Sequence, residues 1–150
     1  MTAGAILDFE SFLERFRLSS FRPGQRDVIG SVLAGHDCLC IMPTGGGKSL
    51  CYQLPAVARE GLTLVVSPLI ALMKDQVDAL DRLGIRSTFI NSTLAPAEQQ
   101  DRLTRMMQGE YDLVYVVPER FRNRILGVLL MLFIGINRTA ATSAVCRPRV

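Results

Sequence analysis

Acidic residues run out early in this sequence. The last is Glu119, and residues 121–150 carry five arginines with no Asp or Glu. The first 120 residues hold twelve basic against fourteen acidic side chains, which excludes a general attraction for polyanions and leaves any nucleic-acid contact there to local sites. Histidine occurs once, at His36, and no two of the four cysteines (Cys38, Cys40, Cys51, Cys146) stand in C-x-x-C spacing. Zinc is therefore not expected, and buried reduced thiols are. The opening MTAGAILDFESF lacks a basic segment leading into a long apolar run, so no secretion signal is read and a cytoplasmic location is expected. The apolar run ILGVLLMLFIGI at 125–136 is twelve residues, short of the ~20 that an ordinary membrane helix needs, and no membrane partner is expected. Repeats and low-complexity tracts are missing as well.

What is present alternates. At 150 residues and 49% apolar content the chain suits a domain with a real core. Apolar residues at helical spacing predict helices over 7–17, from Pro23 to Gly35, from near Lys48, over 69–83 with Gly84 as the stop, and over 96–108 closed by Gly109. Short apolar runs at 38–42, 62–66, 87–90 and 113–117 predict buried strands. Strands alternating with helices predict an α/β protein with a parallel sheet, doubly wound if its crossovers are right-handed. Most of Leu69–Leu72 is expected in the core.

The stretch IMPTGGGKSLCYQLPA, residues 41–56, lacks the glycine that the common phosphate-binding pattern places five positions before Gly47; Met42 stands there. The context is still a strand, a glycine turn and a helix, in which a helix N-terminus presents backbone N–H groups to an anion. Gly45, Gly46 and Gly47 allow the backbone close to phosphates, Lys48 would bring an ammonium to the β and γ phosphates, and Ser49 would offer a hydroxyl to Mg²⁺. A plain strand-to-helix turn needs one glycine, so three followed by Lys-Ser point to nucleotide binding.

Pro43-Thr44-Gly45-Gly46-Gly47-Lys48-Ser49 resembles the loop of helicase superfamily 2, which reads Pro-Thr-Gly-x-Gly-Lys-Ser with no early glycine. From about residue 7 to about residue 122 the sequence resembles the N-terminal end of RecQ-type DNA helicases. The resemblance implies a P-loop NTPase with an incomplete RecA-like sheet, ATP and Mg²⁺ as cofactors, and single-stranded or partly duplex DNA as partner. In the family, ATP hydrolysis drives 3′-to-5′ unwinding. Thr44 through Ser49 become the phosphate and Mg²⁺ residues, with Lys48 the candidate catalytic one. Phe21-Arg22-Pro23-Gly24-Gln25 resembles the adenine-reading motif: Gln25, whose amide both donates and accepts, reads the base edge, and Arg22 packs on its face. Leu18 stands where the family often has an aromatic. Ser67-Pro68 and Lys74, Asn91-Ser92, and Pro118-Glu119-Arg120 resemble three motifs that touch the DNA backbone, each at or just after a strand end.

Beyond its Pro-Glu-Arg motif the family continues to a strand ending in an Asp-Glu-Ala-His box, whose carboxylates hold Mg²⁺ and position the attacking water. No such box follows Glu119 here. Residues 1–122 are thus expected to be a partial ATP-binding domain and 123–150 a divergent tail, from truncation or a frameshift. Val128–Ile134 could then pair as a strand with Cys38–Met42. Binding of ATP and DNA without turnover is expected, a non-catalytic binding module or an unstable fragment being the alternatives.

Overall fold

The computed structural model describes residues 8–119, in two compact units: one holds residues 8–58, the other 59–119. The expectations for Arg120, for a boundary at 122 and for the run at 125–136 lie outside the described residues.

In the first unit, helix α1 (Phe9–Arg15) starts at Asp8, whose carboxylate accepts the N–H groups of Glu10 and Ser11 at 3.1 and 3.2 Å. This is an N-cap, which satisfies donors that the first turn leaves free. Phe9 meets Phe21 edge to face, with ring centroids 5.8 Å apart, and so ties α1 to the segment before the second helix. Helix α2 (Gln25–Leu33) begins two residues later than Pro23. Gly24 at φ 80° takes the chain out of the right-handed path, so Pro23 belongs to the preceding turn and not to the helix. Helix α3 (Leu50–Ala58) packs on α2, with Ile29 and Leu54 fully buried.

The predicted strand at 38–42 is absent. A strand exists only by pairing, and no ladder partner for this run occurs among the described residues. Leu39 and Ile41 are accordingly 51% and 76% exposed.

The second unit is a three-stranded parallel sheet with helices. Its elements are β1 (Thr63–Val66), helix α4 (Ile70–Asp81), β2 (Ser87–Ile90), helix α5 (Pro96–Met107) and β3 (Leu113–Val116). The strand order is β1-β3-β2, so the chain steps across the sheet and then back to its middle. Parallel crossovers are right-handed as a rule, and two taken in opposite directions put their helices on opposite faces. Leu103 and Met106 of α5 pack with Ile90, Val114 and Val116, which share one face by register, while Met73 of α4 meets Asn91. The central strand is buried along its whole length. The described part is therefore a mixed α/β fold with a small, doubly wound parallel sheet.

Helix α4 buries Met73 and Leu80, whereas Leu69 and Leu72 are 56% and 51% exposed. Residues 73, 77 and 80 make the inward stripe; Leu72 lies about 100° round the helix from Met73, and Leu69 is the non-helical N-cap, so the expectation of a core role for most of Leu69–Leu72 does not hold: Leu69, Ala71 and Leu72 are exposed. Arg102 of α5 guards the edge strand: it donates to the Phe89 carbonyl at 2.8 Å, pairs with Glu98 at 2.6 Å, and lies 4.6 Å from the centre of the Phe89 ring.

Candidate nucleotide site and strand-end surface

The glycine loop is open. Gly45 and Gly47 have φ of 78° and 77°, left-handed values that side chains other than glycine rarely adopt. The Gly46 N–H donates to the Pro43 carbonyl at 3.0 Å, which closes the turn. Leu50 and Cys51 donate back to Gly47 and Lys48 at 3.2 and 3.1 Å, a tight first turn that delays the regular helix from Lys48 to Leu50. The backbone N–H groups of Gly47, Lys48 and Ser49 have no acceptor among the described residues. Three consecutive donors at a helix start make a cradle for an oxyanion.

Lys48 is exposed, and its ammonium donates to the Pro43 carbonyl at 3.0 Å, the same oxygen that receives the Gly46 N–H. An ammonium has three N–H groups, so this bond leaves two. Thr44 is exposed and Ser49 half-buried beside the cradle.

Arg22 and Gln25 were expected to read a base, and the structure ties both to the loop. Gln25 is 3% exposed; its amide nitrogen donates to the Gly47 carbonyl at 2.9 Å, and its amide oxygen accepts the Arg22 N–H at 2.7 Å. The Arg22 guanidinium donates to the Gly45 carbonyl. Arg22 also lines a cleft of about 740 Å³ together with Phe9, Leu13, Leu18, Phe21 and Pro23; Gln25 is not part of its wall. The sequence motif signalled that these residues matter, but the ties to Gly45 and Gly47 needed coordinates.

Of the cysteines among the described residues, expected as buried thiols, Cys38 and Cys51 are buried and Cys40 is half-buried; Cys146 lies outside the described residues. The Cys51 thiol is pushed up to about 11, mainly by burial and further by the Cys40 thiol, and it lies 3.9 Å from the Met42 sulfur.

In the second unit the sequence-predicted DNA motifs meet at one edge. Val66, Val116 and Ile90 are in register, so Ser67, Val117 and Asn91 leave the sheet at the same level, at the C-terminal ends of the strands. Open α/β sheets place their ligand sites at this edge. Ser67 donates its N–H to the Val116 carbonyl at 3.0 Å, and its hydroxyl accepts the Leu69 N–H at 3.2 Å. Pro68, Ser92, Pro118 and Glu119 are exposed.

Asn91 differs from its expected role. It is 1% exposed, and its side-chain oxygen accepts the Thr93 N–H at 3.0 Å and the Thr93 hydroxyl at 2.6 Å. It shapes the turn from inside and leaves Ser92 as the presented group; the Asn-x-Thr spacing was the available signal. Lys74 pairs with Asp78 at 2.5 Å along an exposed helix face, and that hydrogen bond raises its pKa. Among the described residues no His, Cys, Asp and Glu side chains cluster as a metal site, and no helix is long and apolar enough to cross a membrane.

Known proteins with this sequence pattern can now be set beside the geometry. The profile of DEAD/DEAH box helicases matches residues 22–141. The chain is 53% identical over 106 residues to the ATP-dependent DNA helicase RecQ of Bacillus subtilis, which covers 70% of this chain and 18% of that protein. It is 51% identical over 105 residues to RecQ of Haemophilus influenzae, with 70% and 17% covered. With the ATP-dependent DNA helicase Q1 of Rattus norvegicus it shares 46% identity over 107 residues, again 70% and 17%. The chain thus spans less than a fifth of the length of these relatives. The glycine loop with its free amides and the motif-bearing strand ends both fall within the matched residues, and the chain belongs to the DEAD/DEAH box helicase family, with a RecQ-like sequence.

Proposed function

We propose that this chain is the nucleotide-gripping part of an ATP-dependent DNA helicase of the RecQ kind. The observation that carries the proposal is the run of three N–H groups at Gly47, Lys48 and Ser49 that have no acceptor among the described residues, beside an exposed lysine ammonium. A triphosphate would replace the Pro43 carbonyl as partner of Lys48 and take the amides as donors. Ser49 is the residue to hold Mg²⁺, which would supply charge neutralisation between the phosphates. Arg22 and Leu18, in the wall of the cleft of about 740 Å³, offer a planar cation and an apolar side chain to a purine. Gln25 acts on the loop through Gly47, from a buried position outside the wall of that cleft.

DNA is assigned to the strand-end surface, through Ser67 and Pro68, Ser92, and Pro118 with Glu119; Arg120 continues this motif in the sequence. Lys74 would contribute charge from the helix after β1. Hydroxyls and backbone N–H groups at such turns contact phosphates without reading sequence.

For these 150 residues by themselves, binding without turnover is the expected behaviour, because no Asp or Glu follows Glu119 to supply a water-positioning carboxylate. Such a group contributes about 10²–10⁴ in rate. Calorimetric titration of the chain with ATP and Mg²⁺ tests the central assignment. Lys48→Ala should bind about 10- to 100-fold more weakly, the range of a hydrogen bond to a charged group. Equal affinity would remove Lys48 from the site.

A further inference from the structure

Telling one purine from another requires a donor and an acceptor held at fixed spacing. Adenine donates from its N6 amine and accepts at N7, whereas guanine accepts at both O6 and N7. A side-chain amide separates the two, because its oxygen takes the amine while its nitrogen serves N7. Gln25 is the residue of that type beside the phosphate loop, and the structure commits it elsewhere. Its nitrogen donates to the Gly47 carbonyl at 2.9 Å, its oxygen accepts the Arg22 N–H at 2.7 Å, and it is 3% exposed. Turning the amide over would set its oxygen against the Gly47 carbonyl and its nitrogen against the Arg22 N–H, so neither bond survives the exchange. Donor and acceptor are both locked onto the protein's own backbone.

The cleft of about 740 Å³ holds no substitute. No Asn or Gln stands among the described residues of its wall. Its polar side chains include Glu10, Glu14, Arg22 and Arg26, with the hydroxyls of Ser19 and Ser20, and all six residues are exposed. A carboxylate only accepts, a guanidinium only donates, and a hydroxyl does either at one atom. On long exposed side chains these groups serve the adenine amine or the guanine N1–H, and N7 of both bases, alike. Arg22 and Leu18 contact a base through its face, and every base has one.

We propose that this site takes purine nucleoside triphosphates without distinguishing adenine from guanine: the triphosphate is gripped, the base is stacked, and its edge is not read. This rests on the nucleotide assignment made above. Gln25 is then a positioning residue of the phosphate loop. A bidentate amide contact would separate the two bases by about 5- to 140-fold in affinity. Without one, GTP and ATP are expected to bind within fivefold of each other.

The test is calorimetric titration of the full chain, with Mg²⁺, against the β,γ-imido analogues of ATP and GTP, which differ only in the base. The expected result is two dissociation constants within fivefold. The same pair is then run on Gln25→Ala, where both affinities should fall by a common factor of about 5 to 30 as the loop loses the two bonds that hold it. The ratio of the two constants is read on one sample, so a partly unfolded variant leaves it intact, and a variant that fails to fold leaves the parent ratio to decide. Constants that differ by more than fivefold in the parent chain overturn the proposal. So does a loss on Gln25→Ala confined to the ATP analogue. Binding of neither analogue overturns the nucleotide assignment and this proposal together, whereas unequal binding overturns this proposal alone.

Discussion

Alanine scanning of the three loop glycines should give unequal losses, because each glycine is required for a different reason. At Gly47 both constraints apply: φ is 77°, and a Cβ would run into the Gln25 amide nitrogen. Left-handed backbone costs a non-glycine residue roughly 1–2 kcal/mol. Gln25 cannot retreat freely, since it is 3% exposed and bonded at 2.9 Å to the Gly47 carbonyl and at 2.7 Å to the Arg22 N–H. Losing those bonds adds about 1 kcal/mol each. The loop conformation is then disfavoured by roughly 3–4 kcal/mol, or about 140- to 700-fold in ATP affinity at 1.4 kcal/mol per factor of ten. At Gly45 the φ of 78° applies but no atom lies within 4 Å of the added carbon, so Gly45→Ala should lose only about 5- to 30-fold, the backbone share alone. Gly46→Ala has no positive φ, but its Cβ would sit 2.9 Å from the Pro43 carbonyl oxygen, and an intermediate loss is expected. Titration calorimetry with a non-hydrolysable ATP analogue, run beside urea unfolding of the same samples, separates binding from folding. Equal losses at Gly45 and Gly47 would refute the idea that Gln25 buttresses the loop.

Other perturbations reach different parts of the chain. Asn91→Ala leaves the Thr93 N–H and hydroxyl without their acceptor, and should destabilise the second unit by about 1–3 kcal/mol in urea unfolding. Arg102→Ala removes the Phe89 carbonyl bond and the ring contact, and should lower stability by about 1–2 kcal/mol while raising aggregation of the exposed edge, read by light scattering. Cys51 has a folded pKa of about 11 against an ordinary 9.0, so the unfolded chain loses this proton first. Its contribution to stability is therefore intact below pH 9 and is lost as pH rises toward 11. Cys51→Ala should show a smaller drop in urea midpoint between pH 8 and pH 10.5 than the parent chain.

Much of the second unit was legible in the sequence, for identifiable reasons. The runs around 63–66, 87–90 and 113–116 are short and apolar, and Gly84 and Gly109, at φ 68° and 75°, follow the helices they were expected to stop. Local patterns suffice there because the pairing partners lie in the same stretch of chain. Cys38–Met42 has an equally good pattern and is not a strand, since pairing is a property of two segments and a run cannot encode its partner. Proline at 23 suggested a helix start, but the glycine after it adopts a left-handed turn and moves the start to Gln25. At the site, residue types announced the phosphate cradle. They did not announce that Gln25 and Arg22 hold the loop, or that Asn91 works from inside its turn, because these depend on where each side chain is directed.

The strand order β1-β3-β2 bears on how this unit is made on a ribosome. Its two outer strands emerge first and do not touch one another; the one that joins them is the last of the three to be synthesised. Until residues 113–116 arrive, neither outer strand has a companion in this sheet, and the nascent segment from 59 onward carries unpaired apolar ribbons with Arg102 as one guard. Chaperone demand during translation should peak in that interval and fall once Leu113–Val116 slots between them.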